Sequence, residues 1–286
     1  MLGVIIIAIG GVTAAIFVKL DNTLSPEMAA GLLTGGLTST PGFSAAKEVP
    51  NVNQDAISAG YGIAYLYGVL GVVLFVQLVP KILKVDMAKE RESFVAANSV
   101  VIPEPKAKLI QLEEFGFFPF FLAVAFGCII GAIEIPKVNF SLGNSGGTLV
   151  AGLVIGHFGR IGKLDCRISK QTLNFMRELG LVLFLIGAGV PGGVNFVSNV
   201  KFSFFIYGAV MTTVPMVVGY IIARYAFKLS LFNNLGSITG GMTSTPALGS
   251  LIATAGTDEV SSAYAATYPL ALVSVVLTAK IIVMIL

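Results

Sequence analysis

"GLLTGGLTSTPGFSAA" occupies residues 31–46 and "GSITGGMTSTPALGSL" occupies residues 236–251. Aligned without a gap, eight of the sixteen positions are identical, Thr-Ser-Thr-Pro among them. Proline at 41 and 246 removes a backbone donor and clashes with a preceding helical turn, so each stretch predicts a helix break at the same offset. Gly35–Gly36 and Gly240–Gly241 lie just ahead of it, where glycine lets backbones approach closely. The flanking pieces, such as "LFNNLGSITGG" and "ALGSLIATA", are each about half of a ~20-residue membrane span.

The rest of the chain says what solvent these breaks sit in. Of 286 residues, 55% are hydrophobic and 12% charged, with a mean hydropathy of +0.89. Soluble domains carry roughly 25% charged residues, so most of this surface faces lipid. A net charge of +3 is too small to argue for nucleic acid. Cys128 and Cys166 have no metal-ligand spacing, and His157 closes an apolar run as an interfacial residue. No catalytic triad, zinc site or nucleotide loop is present in the pattern, so neither an enzyme nor a cofactor is expected. The first apolar run has no basic segment ahead of it and reads as a spanning helix, not a signal peptide.

Candidate spans fall at 2–18, 57–79, 117–135, 142–158, 179–196, 202–225 and 260–286. The glycine-rich 142–158 run predicts close helix packing. The repeat continues past the breaks: "QDAISAGYGIAYLYGVLGVVL" (54–74) matches "TDEVSSAYAATYPLALVSVVL" (257–277). Asp55 aligns with Asp258, Ser58 with Ser261, Tyr61 with Tyr264 and Tyr65 with Tyr268. Each copy reads as span, motif segment, span, with the motif segments at 24–49 and 229–255. The chain then divides into a first membrane repeat at 1–84, a polar linker at 85–115 and a second membrane repeat at 116–286. The linker is solvated by composition.

Basic residues mark the cytoplasmic face. Placing residues 81–108, the 160–177 loop and the 224–228 turn inside puts thirteen of the eighteen basic residues in the cytoplasm. With that orientation two geometries remain for the motif segments. If each is a broken helix that crosses, the two copies are parallel; if each is a re-entrant hairpin, they are inverted. The half-span pieces favour hairpins, and inverted repeats with interrupted helices are a recurring transporter design.

A break within a bilayer must be buried or line a wet cavity. Its free peptide groups, with the hydroxyls of Thr38, Ser39, Thr40, Thr243, Ser244 and Thr245, can replace a hydration shell. The half-helices beginning near Pro41 and Pro246 present positive ends suited to a small anion. Asn233, Asn234, Tyr61, Tyr65, Tyr264 and Tyr268 are possible cavity lining. Arg177 and Glu178 are expected to pair with each other or snorkel, and Lys280 to snorkel from the end of the last span.

The paired "GGLTSTPGFSAA" and "GGMTSTPALGSL", with "AYAATYPLAL", "LGNSGGTLVAGLVIGHFGRIG" and "RELGLVLFLIGAGV", resemble the aspartate:alanine exchanger family of permeases with a duplicated membrane domain. The resemblance implies an all-α polytopic, inverted-repeat secondary transporter in a bacterial inner membrane. It implies antiport of small carboxylates or acidic amino acids such as aspartate, alanine or succinate, by alternating access, in a homodimer. The family motif falls on Gly35–Pro41 and Gly240–Pro246. Two departures are visible. The linker lacks the ligand-binding domains common in the family, and nothing before Met1 matches 117–196, so the first repeat reads as N-terminally truncated. A passive channel and a non-transporting membrane subunit are the alternatives.

Overall fold

The computed structural model describes residues 1–98, 109–135, 140–194 and 201–286 and is mostly helical. Its contacts divide the chain into two units: Met1–Val100 with Gly192–Leu286, and Val101–Pro191.

In the first unit the apolar runs become α1 (Leu2–Leu20), α4 (Gln54–Ile82), α9 (Phe202–Ile221) and α12 (Val260–Ile285). A π-helix at Ile222–Ala226 extends α9. Among the described residues, these are the four helices long and apolar enough to cross a membrane. Leu66, Leu70, Leu74 and Leu78 form an exposed stripe along α4 at four-residue spacing, as a lipid-facing side requires. The molecule is a multi-pass membrane protein.

Between the long helices each motif segment forms two short ones: α2 (Pro26–Gly36) with α3 (Thr40–Lys47), and α10 (Leu231–Gly241) with α11 (Thr245–Ala255). Ser25 Oγ accepts the Met28 N–H at 3.1 Å, and Pro26 takes the first helical position, where its missing N–H costs nothing. Asn53 caps α4 in the same way through Ala56.

Glycines set the direction of packing. Gly31 lies against the Ile57 carbonyl, Gly35 against that of Tyr61, and Gly68 against those of Gly35 and Gly36, so α2 and α4 run side by side in the same sense. At the end of α3, Gln54 Nε2 donates to the Lys47 carbonyl at 3.2 Å and Lys47 Nζ donates to Ser58 Oγ at 3.2 Å. The end of α3 therefore lies beside the start of α4. The second copy repeats this. Gly236 meets Val260, Gly240 meets Tyr264, and Leu251 and Ala255 of α11 share one apolar cluster with Phe232 and Leu235 of α10.

Each long helix begins beside its own pair and finishes on the other. Gln77 of α4 donates to Ser250 of α11 at 3.0 Å, while α12 carries Val275 against Gly42 and Lys280 within 3.9 Å of Glu48. Helices α1 and α9 cross in opposite senses, with Gly10 on Pro215, Ile6 on Gly219 and Phe17 stacked on Tyr207 at 4.4 Å. Tyr207 Oη donates to Asp21 in the α1–α2 loop at 3.0 Å. The Thr23 hydroxyl and N–H hold that carboxyl below its usual range.

Two expectations are corrected in this unit. Lys280 does not snorkel: it is 3% exposed and faces Glu48, because α3 supplies a carboxylate that no local sequence reveals. The segment after Ile82 is not merely solvated linker. Met87–Asn98 forms α5, and its Phe94 is buried against α10.

The second unit contains α6 (Phe117–Gly131), α7 (Gly143–Phe158) and all but the last three residues of α8 (Lys170–Val194), with the two-stranded pieces β1–β2 (Glu134–Ile135, Phe140–Ser141) and β3–β4 (Arg160–Ile161, Leu164–Asp165). The expected 117–135 span stops as a helix at Gly131 after 15 residues, because Glu134 pairs with Ser141 in a strand. Gly127, Gly131 and Gly147 bring the backbones of α6 and α7 into contact, the close packing that the glycine run predicts. Arg177 and Glu178 pair at 2.8 Å on an exposed face. Arg167 holds the Asp165 carboxyl below its usual range through paired hydrogen bonds. The 179–196 span lies within α8, except for 195–196, which are outside the described residues.

Candidate functional site: two helix breaks joined at their tips

The breaks share one local geometry. At the end of α2, the Ser39 N–H reaches the Thr34 carbonyl at 2.8 Å and the Thr38 N–H reaches that of Gly35 at 2.9 Å. At the end of α10, Ser244 reaches Thr239 at 3.0 Å and Thr243 reaches Gly240 at 3.1 Å. This is the Schellman turn, in which glycine normally occupies the left-handed position. Here threonine does, at φ 53° for Thr38 and 52° for Thr243. A β-branched residue in that region is strained by about 1–3 kcal/mol.

What offsets the strain is visible across the gap. Thr243 Oγ1 donates to the Leu37 carbonyl at 2.7 Å, and Thr38 Oγ1 donates to the Thr243 carbonyl at 3.4 Å. Each threonine hydroxyl thus reaches a carbonyl of the opposite tip, a role glycine could not perform. Thr212 of α9 adds a bond to the Gly36 carbonyl at 3.1 Å, and Thr267 of α12 one to that of Ser237 at 3.1 Å. Sequence reasoning missed Leu37, Thr212 and Thr267. A threonine within a mostly apolar span was the available signal for the last two.

The prolines act differently from the expectation. Each chain leaves its helix at the threonine, and Pro41 and Pro246 sit in the first turn of α3 and α11, which tolerates proline. Thr40 and Pro41 are half-buried, whereas Thr245 and Pro246 are exposed. Gly36 faces Thr212, Gly241 faces Ile6 of α1, and Gly35 and Gly240 hold α4 and α12 against the pairs.

The two serines differ. Ser39 Oγ caps α3 by accepting the Gly42 N–H at 3.3 Å. Ser244 is wholly buried at the corresponding position of α11, and its Oγ has no hydrogen-bond partner among the described residues. Ser39→Ala is therefore expected to lower stability by about 0.5–2 kcal/mol, the usual loss of a cap. Ser244→Ala should leave stability unchanged or raise it, since it removes an unpaired buried polar atom. Thermal unfolding of the two variants in detergent checks this; equal losses would show that both serines cap.

Other candidates are dispersed. Asn233 and Asn234 sit in the first turn of α10, at the opposite end from Thr243. Asn233 bonds Ser230, and buried Asn234 donates to the Tyr220 carbonyl at 3.2 Å, just before the π-helix. Tyr61 is buried between Phe43 and Tyr65, with ring centroids at 4.6 and 5.2 Å, and Tyr264 stacks on Tyr268 at 4.7 Å.

Apolar crossing helices around two broken helix pairs that meet tip to tip define a polytopic membrane permease fold. The chain belongs to the family described as Predicted Permease Membrane Region (Asp-Al_Ex), which matches residues 1–81 and 119–284. It is 36% identical over 178 residues to an uncharacterized transporter of Bacteroides thetaiotaomicron, covering 60% of this chain and 34% of that protein. An uncharacterized transporter of Desulfotalea psychrophila is 34% identical over 177 residues, covering 60% of this chain and 33% of the relative. The chain thus spans about a third of the length of these relatives. No solved structure matches it.

Proposed function

We propose that this chain is the substrate-handling core of a secondary active antiporter for small carboxylates or acidic amino acids, such as aspartate, alanine or succinate. The reading takes α2–α3 and α10–α11 as re-entrant hairpins of an inverted repeat in a bacterial inner membrane, functioning as a homodimer. The observation that carries it is the reciprocal bonding of Thr38 and Thr243 to the opposite tip. A crossing helix broken twice for packing alone needs no strained threonine there. In this mechanism the joined tips are the closed state. Parting them frees the Leu37 and Thr243 carbonyls, two threonine hydroxyls and the N-terminal turns of α3 and α11. Those groups can take over the hydration of a carboxylate and of the amino group that some such solutes carry.

The 286-residue chain, reconstituted in proteoliposomes, should take up labelled aspartate or succinate saturably, and faster when unlabelled substrate is preloaded. Paired Thr243→Ala and Ser244→Ala changes should remove most of that uptake. Flux that rises linearly with concentration and ignores preloading would mark a passive pore and overturn the proposal.

A further inference from the structure

Helix α5 lies in the stretch between the two parts of the family match, residues 82–118, so it belongs to this chain and not to the shared membrane region. Yet it touches both ends of the second helix pair where that pair begins and finishes. Glu90 Oε1 accepts the Leu231 N–H, the first of α10, at 3.1 Å. Ser230, in the capping position, makes no side-chain cap of its own among the described residues. Arg91 Nε donates to the Ala255 carbonyl, the last of α11, at 2.6 Å. The sign of each charge suits the helix end it meets: carboxylate at the positive end, guanidinium at the negative end. Phe94, one turn on, is 3% exposed and stands edge-on to Phe232 at 5.6 Å.

The close of α11 is shaped for this contact. Gly256 ends the helix at φ 65°, and a Cβ there would lie 2.5 Å from Arg91 Nη2. The first pair is held by its neighbours in sequence instead: Ser25 caps α2, and Gln54 bonds the carbonyl of Lys47. The first pair is thus secured by neighbours in sequence and by α12, through Lys280 facing Glu48, the second by a helix about 140–165 residues away in the chain.

We infer that Glu90 and Arg91 are positioning residues that fix the base of the α10–α11 pair. The uptake measurements below rest on the transport reading; the anchoring does not. Hydrogen exchange on the full chain in nanodiscs tests the anchoring directly. Glu90→Gln and Arg91→Ala should each speed exchange across 231–255 by about tenfold, as loss of a charge-assisted cap implies. Residues 26–47 should be unchanged. Arg91→Lys, which keeps a cationic donor, should restore most of the protection, and Lys89→Ala, which removes an exposed charge from the same helix, should do nothing.

Equal acceleration in both pairs, or none in 231–255, overturns the inference. In uptake assays the same two variants should change the maximal rate and leave the half-saturating concentration in place. A shift confined to the half-saturating concentration would place these residues in substrate binding instead and also overturn it. Absence of uptake by the unaltered chain would remove the transport reading while leaving the exchange result to stand or fall alone.

Discussion

With Thr38 and Thr243 both changed to glycine, the protein is expected to fold with little change in stability and to lose at least about tenfold in uptake. Two effects oppose each other in the fold. Glycine relieves left-handed strain worth about 1–3 kcal/mol at each tip. It also orphans the Leu37 and Thr243 carbonyls, at about 1–3 kcal/mol for each buried group. Function has no such compensation, because the hydroxyls that close the tips, and that the proposal gives to the solute when they part, are gone. Thermal unfolding and uptake measured on the same preparation separate the two effects. Full uptake by the double variant would remove these hydroxyls from the mechanism. A large rise in stability with uptake intact would show that the strain serves nothing.

Gly35→Ala and Gly240→Ala are expected to be more damaging to the fold than any change at the tips. At Gly35 a Cβ would meet the backbone of Tyr61, and at Gly240 the backbone of Tyr264 and Thr267 Oγ1. A side chain could turn aside, but a helix backbone must move bodily, so a cost at or beyond the upper end of about 1–3 kcal/mol is expected. The displacement would also pull each tip from its partner. Gly62→Ala is the control, since nothing lies within 4 Å of that position on α4. It should be neutral or stabilising by up to about 1 kcal/mol, the helix preference of alanine over glycine. Unfolding of the three variants side by side measures this, and similar behaviour in all of them would contradict the close packing of α2 on α4.

The breaks, the duplication and the four long apolar helices were legible because each leaves a mark in contiguous sequence: a repeated phrase, or a run of one polarity. The pairing of Thr38 with Thr243 was half legible. Sequence named both residues but attributed the break to Pro41 and Pro246, since nothing local shows that the chain has already left its helix in a Schellman turn. Lys280 was misread because its partner, Glu48, lies at the far end of the chain. Helix α5 was read as linker because its packed residues Met87 and Phe94 lie two turns apart among charged ones, too few to make a periodic pattern. Asn234 reads from sequence as possible cavity lining or a cap; its amide serves the Tyr220 carbonyl beside a π-helix, an irregularity that hydropathy does not record.

The way the long helices cross from one pair to the other has a consequence for biogenesis. Gly42 of α3 packs against Val275, and Glu48 against Lys280, both in the last helix. The ribosome makes that helix some 230 residues later, about 10–50 s at ordinary elongation rates. Throughout that interval the Gly42–Glu48 face of the nascent chain lacks the contacts that Val275 and Lys280 supply. A stall or stop codon before Val275 leaves that face without those contacts for good.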